Sequence, residues 1–273
     1  MLLDELIYNI SILVALSLLS GFIDARYTSK ETKGKILQGI LFGFTAIIGM
    51  MHPYVLTEGI IFDGRSIVIS LCALFFGPVS GLITFALSII YRMYLGGSGV
   101  LMGILVILSS SLIGIYFHYF YLKSNQKKIT DFNLYLFGLV VHIAMLIFVL
   151  ALPSKNIIET YKIIAITVLG IFPVISLLIG KTLLSTLNNH EYLKVLKESE
   201  IRYSRIVSAA NEGIWVFDEK EKTNFINTRL TELLGYRSDE MIGLPMSNFV
   251  HPDDLTDHHK QMNERRDGQK GYY

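Results

Sequence analysis

The chain holds a single cysteine, Cys72. That excludes an intrachain disulfide, and no cysteine or histidine spacing suits a zinc site. Neither sign of charge dominates: 24 basic against 23 acidic residues give a net charge of +1, so the basic footprint of a nucleic-acid binder is missing. The opening residues, Met1-Leu2-Leu3-Asp4-Glu5, are acidic and lack the basic n-region of a signal peptide. Residues 6–23 therefore read as a retained transmembrane helix. The glycine-rich Gly96-Gly97-Ser98-Gly99 is not followed by the Lys-Ser/Thr of a phosphate-binding loop and reads as a tight turn. No phosphorylatable histidine box, no ATP-binding glycine motif and no cyclase Gly-Gly-Asp/Glu-Glu-Phe signature is found. The chain is expected to catalyse nothing, and no cofactor is assigned to it.

What it has in excess is apolar residues. They make up 52% of 273 positions, with mean hydropathy +0.48, against about 45–50% in soluble domains even when glycine is counted. The excess is concentrated in residues 1–184, while 185–273 hold most of the charge. This predicts a membrane domain, 1–184, followed by a linker helix, 185–202, and a small soluble domain, 203–273. Runs of about 17–25 apolar residues can cross a bilayer; residues 6–23, 36–51, 100–122, 132–152 and 161–184 qualify. Residues 66–95 are too long for one comfortable span and short for two.

Loop charge decides between them. Residues 24–35 carry Arg26, Lys30, Lys33 and Lys35, and residues 123–131 carry Lys123, Lys127 and Lys128. The positive-inside rule puts both loops in the cytoplasm. If the soluble domain is cytoplasmic as well, which the resemblance described below implies, the number of crossings is odd. One span over 66–95 gives six; two short helices, 66–76 and 79–95, turning at Gly77-Pro78 give seven. Proline disrupts a helix interior, so the turn falls there. The expected fold is an all-α polytopic membrane bundle of six or seven segments. In the seven-segment topology Glu58, Asp63, Arg65 and Arg92 lie together near the outer face, beside Gly96, Gly97 and Ser98.

Ionisable groups at membrane depth are costly and persist where they face an interior, a cavity or a partner. For Arg65 and Arg92 two readings stand. They are interfacial anchors that snorkel to headgroups, or they form a cationic pocket whose planar forks suit a carboxylate or phosphate, with Asp63 neutralising one of them. Ser98, Ser109, Ser110 and Ser111 offer hydroxyls or pack helices. Gly39/Gly43, Gly77/Gly81 and Gly99/Gly103, each pair four apart, permit close helix approach. His142, inside a span, reads as a packed, hydrogen-bonded core residue. His251, His258 and His259 stand near Asp253, Asp254 and Asp257, but His251-Pro252-Asp253-Asp254 reads better as a helix start than as metal ligands.

In the soluble part Leu193, Leu196, Glu200, Tyr203 and Val207 step by three and four, an imperfect heptad stripe that suits a coiled coil or an amphipathic linker. A strand follows at Ile214-Trp215-Val216-Phe217, a charged turn at 219–222, a second strand at 223–226, and a helix begun by Asn227. Ser238 suits the N-cap of another short helix. Ala210-Asn211-Glu212-Gly213-Ile214, Val216-Phe217-Asp218, Phe225-Ile226-Asn227, Leu233-Leu234-Gly235-Tyr236, Glu240-Met241-Ile242-Gly243 and His251-Pro252-Asp253-Asp254, in this order, resemble the N-terminal two-thirds of a PAS domain. The turn lacks the glycine usual there, and the flavin-attachment cysteine motif is absent. The sequence stops at Gly271-Tyr272-Tyr273, so the resemblance implies an incomplete α+β PAS domain with its output absent.

The membrane half resembles the LytS/YhcK-type transmembrane receptor domain of prokaryotic sensor proteins. Asp63-Gly64-Arg65, Gly77-Pro78-Val79-Ser80-Gly81, Arg92 and Gly96-Gly97-Ser98-Gly99 with Gly103 carry the likeness, which covers residues 30–185. It implies a homodimeric input module in the prokaryotic cytoplasmic membrane, with the C-terminus inside and a histidine kinase or, less often, a diguanylate cyclase as output. The expected ligand is a small extracellular anion, a carboxylate or a wall-derived fragment, held by Asp63, Arg65, Arg92, Gly96, Gly97 and Ser98. The Gly-Pro-x-x-Gly hairpin also looks like substrate-binding subunits of vitamin-uptake transporters.

Overall fold

The structure, a computed structural model, describes residues 2–28, 31–57, 60–123, 129–152, 154–257, 260 and 264. Lys30, Glu58, Lys127, Lys128, His258, His259 and residues 271–273, which enter the reading above, lie outside these. The chain divides into two compact units, Met1–Tyr192 and Leu193–Tyr273.

The first unit is helical. Helices α1 (Leu2–Arg26) and α2 (Thr32–Met51) lead into two short antiparallel strands, β1 (Tyr54–Thr57) and β2 (Ile60–Phe62). Then come α3 (Arg65–Leu95) and α4 (Val100–Phe117), the latter extended by a π-helical turn, His118–Lys123. Helix α5 (Asp131–Ile147) starts at a capping box in which Thr130 Oγ1 accepts from the Asn133 N–H. A 3₁₀ turn, Phe148–Ala151, precedes α6 (Ser154–Ile166), a π-helical turn (Thr167–Ile171) and α7 (Phe172–Ala209). Among the described residues, five stretches are long and apolar enough to cross a membrane: Thr32–Met51, Arg65–Leu95, Val100–Leu122, Asp131–Ala151 and Thr160–Ala209. This count enters α3 once, although α3 is two helices.

The reversal inside α3 is visible in its contacts. Gly77 has φ +80° and ψ −170°, a conformation outside any helix, and Pro78 follows it. Twelve residues of straight helix would hold their ends about 18 Å apart, yet Cys72 Sγ lies 3.1 Å from Thr84 Oγ1. A Cβ on Gly81 would sit 3.0 Å from the Ala73 Cβ. The chain folds back at Gly77-Pro78, and the expected hairpin is present. Glycine is required at the turn: φ is positive, and a Cβ there would press on the His118 ring.

The two arms differ in environment. Every residue from Arg65 to Gly77 is buried, as expected of a helix apolar on all sides. This first arm is about 18 Å long, short of the roughly 30 Å of a hydrocarbon core. The helix does not begin further back, because Ile60–Phe62 is strand β2. Protein surrounds the arm instead. A Cβ on Gly114 of α4 would meet the Ser70 carbonyl oxygen and the Ala73 Cβ, His118 Nδ1 lies 2.7 Å from the Leu74 carbonyl, and Gly180 of α7 faces Leu71. The second arm turns Val79, Leu82, Ile90, Met93 and Tyr94 outward and keeps Ser80, Thr84, Ser88 and Arg92 inside. Ser80 Oγ donates to the Lys35 carbonyl at 2.8 Å and Thr84 Oγ1 to the Gly39 carbonyl at 2.9 Å. Gly39 and Gly43 of α2 lie against Ser80, Ile83 and Leu87, so this pair serves packing.

In the second unit β3 (Trp215–Phe217) pairs antiparallel with β4 (Thr223–Ile226), with a bulge between Val216 and Phe217. Asp218 Oδ1 accepts from the Lys220 and Lys222 N–H groups and ties the turn. Glu221 takes φ +62° at the turn, where a glycine would be unstrained. Helix α8 (Thr228–Leu234) is capped by Asn227, whose Oδ1 accepts from the Leu230 N–H, and ends on Gly235 at φ +77°. Helix α9 (Ser238–Met241) follows, but Arg237, not Ser238, occupies its N-cap. Pro252–Asp254 forms a 3₁₀ turn with the acids in its first turn. Leu193, Leu196 and Tyr203, from the heptad stripe, are exposed.

Candidate functional site

The open end of the α3 hairpin gathers three buried charged side chains, Asp63, Arg65 and Arg92. Asp63 precedes the first arm and Arg65 starts it, while Arg92 closes the second arm. Asp63, Arg65 and Arg92 are 4%, 5% and 1% exposed. Guanidinium groups that snorkel keep their heads in water or headgroups; these are enclosed by protein, so the anchor reading is set aside.

Asp63 and Arg65 are locked together. The Arg65 N–H donates to Asp63 Oδ1 at 2.9 Å, and Arg65 Nε stands 3.1 Å from the same oxygen. Arg65 Nη2 donates to the Ile61 carbonyl at 3.1 Å, and Nη1 approaches Met50 Sδ at 3.2 Å. Arg92 Nη1 donates to the Gly96 carbonyl at 3.0 Å. Gly96 and Gly97 both have positive φ, +65° and +90°, which turns the chain sharply back toward Arg92. Its side chain runs across Gly103, where any Cβ would collide with it.

A small cavity of about 10 Å³ lies beside Asp63 and Arg65; Arg92 and Gly96 do not line it. Asp63, Arg65 and Ser66 line one side, Gly99 and Gly103 of the α4 start another, and Met145 of α5 a third. Space of this size accommodates about one water-sized group. Gly97 and Ser98 are exposed and do not line it. Gly99 and Gly103, read from sequence as a packing pair, line the cavity, and Gly103 makes room for Arg92.

Behind the cavity sits His142, fully buried on α5. Its Nδ1 is 2.6 Å from the Gly138 carbonyl and its Nε2 is 3.2 Å from Ser66 Oγ. The ring also meets Phe172, the first residue of α7, edge to face at 5.2 Å. This core role is the one its place in an apolar span predicted. The contact with Ser66 went unread, although Ser66 directly follows Arg65.

The second unit has a shallower concavity of about 420 Å³, lined by residues that include Asn227, Thr231, Tyr236, Arg237 and Asp239. Its charges are matched internally: Arg237 Nε and Nη2 donate to the two Asp239 oxygens at 2.9 Å. Those bonds hold the Asp239 carboxyl below the usual carboxylate range. Among the described residues no three His, Cys, Asp or Glu side chains gather as a metal site.

Comparison with known families matches residues 13–186 to the family described as the 5TMR of 5TMR-LYT, and residues 201–271 to the PAS fold. Both are sensory input domains and not catalytic ones. Comparison with curated proteins and with solved structures gives no match. The apolar helices and the match over most of the first unit agree: the chain is a multi-pass membrane sensory input module and belongs to the 5TMR of 5TMR-LYT family.

Proposed function

We propose that this chain binds a small extracellular anion, in the first instance a carboxylate, at Asp63, Arg65 and Arg92, and passes the change to its PAS domain and a kinase output. The observation that carries the reading is the burial of two guanidinium groups, Arg65 and Arg92, at the open end of a hairpin whose first arm is enclosed by protein. Arginine's planar fork suits a carboxylate with bidentate geometry, and such a pairing is stronger away from water. The glycine turn at Gly96 and Gly97, with Ser98, gives the approach from outside. The module sits in a prokaryotic cytoplasmic membrane as a homodimer, with its C-terminus in the cytoplasm.

The relay follows packed contacts. Ser66 lines the cavity and bonds His142, and His142 packs on Phe172. One turn away, Gly138 lies against Pro173 and Ser176 of α7, and the chain leaves the first unit through α7. The cavity is smaller than a carboxylate, so binding must part the first arm from α4 or α5 and disturb these contacts.

Ligand excess stabilises a folded state by about 2.7 kcal/mol at 100 times the dissociation constant. The detergent-solubilised chain is therefore expected to melt higher in millimolar carboxylates, and the Arg92→Ala variant, shown folded by its circular dichroism, is not. An equal rise in both would remove Arg92 from the site. Sealed vesicles separate a receptor from a transporter-like subunit: a receptor binds labelled carboxylate without accumulating it.

A further inference from the structure

The cavity beside Arg65 is lined by hydrogen-bond acceptors with capacity to spare. Asp63 Oδ1 accepts the Arg65 backbone N–H and pairs with its Nε, while Asp63 Oδ2, on a side chain with no exposed surface, has no hydrogen-bond partner among the described residues. A buried carboxylate oxygen left without a donor carries a desolvation penalty. Ser66 points to the same conclusion by a separate route. The Gly138 carbonyl can only accept, so His142 Nδ1 carries the proton. In the neutral ring Nε2 is then an acceptor, and Ser66 Oγ must donate to it. The Ser66 lone pairs remain for the cavity it lines.

We propose that the ligand presents a hydrogen-bond donor, a hydroxyl or an ammonium, to Asp63 Oδ2 and Ser66 Oγ. This rests on the carboxylate reading above and sharpens it: the arginines take the carboxylate, and the acceptors select a hydroxy- or amino-substituted acid over the unsubstituted one. A site built to pair with a polar group rejects the analogue lacking it, because its own buried groups then stay unpaired.

Two matched series of different size test this by thermal shift of the full chain: acetate, glycolate and glycine, then succinate, malate and aspartate. In at least one series the hydroxy or amino acid is expected to half-saturate at about tenfold lower concentration than its unsubstituted parent, the worth of one hydrogen bond to a charged group. The Asp63→Asn variant keeps the side-chain shape. Its amide oxygen must face the Arg65 donors, which turns an NH₂ toward the cavity, so the tenfold preference is expected to vanish. Equal half-saturation within both series, or a preference that survives Asp63→Asn, overturns the donor requirement and leaves the carboxylate site standing. No shift with any of the six acids, in folded protein, overturns the carboxylate reading itself and this inference with it.

Discussion

Replacing Asp63 with alanine is expected to destabilise the membrane unit by about 3–5 kcal/mol, the usual cost of stranding one partner of a buried ion pair. Arg65 would keep only the Ile61 carbonyl and the Met50 sulfur as close polar partners among the described residues. Its charge would remain enclosed at 5% exposure. The same logic predicts recovery. In the double variant Asp63→Ala/Arg65→Met both charges are gone, and a flexible apolar side chain fills much of the arginine volume. Most of the lost stability should return. The apparent melting temperature in detergent, compared across the parent, the single and the double variant, checks both halves. A small loss in the single variant, or no recovery in the double, would mean that Arg65 is compensated from elsewhere.

Asn227→Ala should produce the second large effect, confined to the second unit. Asn227 is 3% exposed and its amide ties together three stretches of chain. Oδ1 accepts from the Ile214 and Leu230 N–H groups at 2.9 and 3.0 Å. Nδ2 donates to the Glu212 and Val207 carbonyls at 2.9 and 3.2 Å. At about 1 kcal/mol net per bond, the loss comes to about 3–4 kcal/mol, a large share of the 5–15 kcal/mol that holds a domain folded. Limited proteolysis should then cut within 210–230 while the first unit persists. Asn227→Asp keeps the acceptor and loses the two donors, and should fall midway. Unchanged protease resistance in Asn227→Ala would show that these backbone segments are held by other contacts.

Parts of this architecture were legible in the sequence because backbone chemistry is local. Gly77-Pro78 inside an apolar run breaks the helix, and the hairpin expected there is present. Asn227 announced a helix start for the same reason. Its wider role did not show, because Ile214, Glu212 and Val207 reach it only through the fold. Nor did the depth of the first arm: Ser66 to Phe76 reads like any apolar segment, and its complete burial depends on α4, α5 and α7 packing around it. One signal was present and unread. Ser80, Thr84, Ser88 and Arg92 recur every fourth residue, which places them on one helix face, and that face proves to be the buried one. Gly103 gave a small-residue spacing but no hint that the close approach was to an arginine side chain.

The central claim is that a small anion enters among Asp63, Arg65 and Arg92 and that its arrival is felt along α7. Amide hydrogen exchange of the full chain in lipid nanodiscs, with and without saturating glycolate, tests it most directly. Slower exchange is expected at 61–66 and 96–103, together with a change at 138–142 and at 172–180. Protection restricted to the second unit, or an exchange pattern that glycolate leaves untouched throughout the first, would contradict the account.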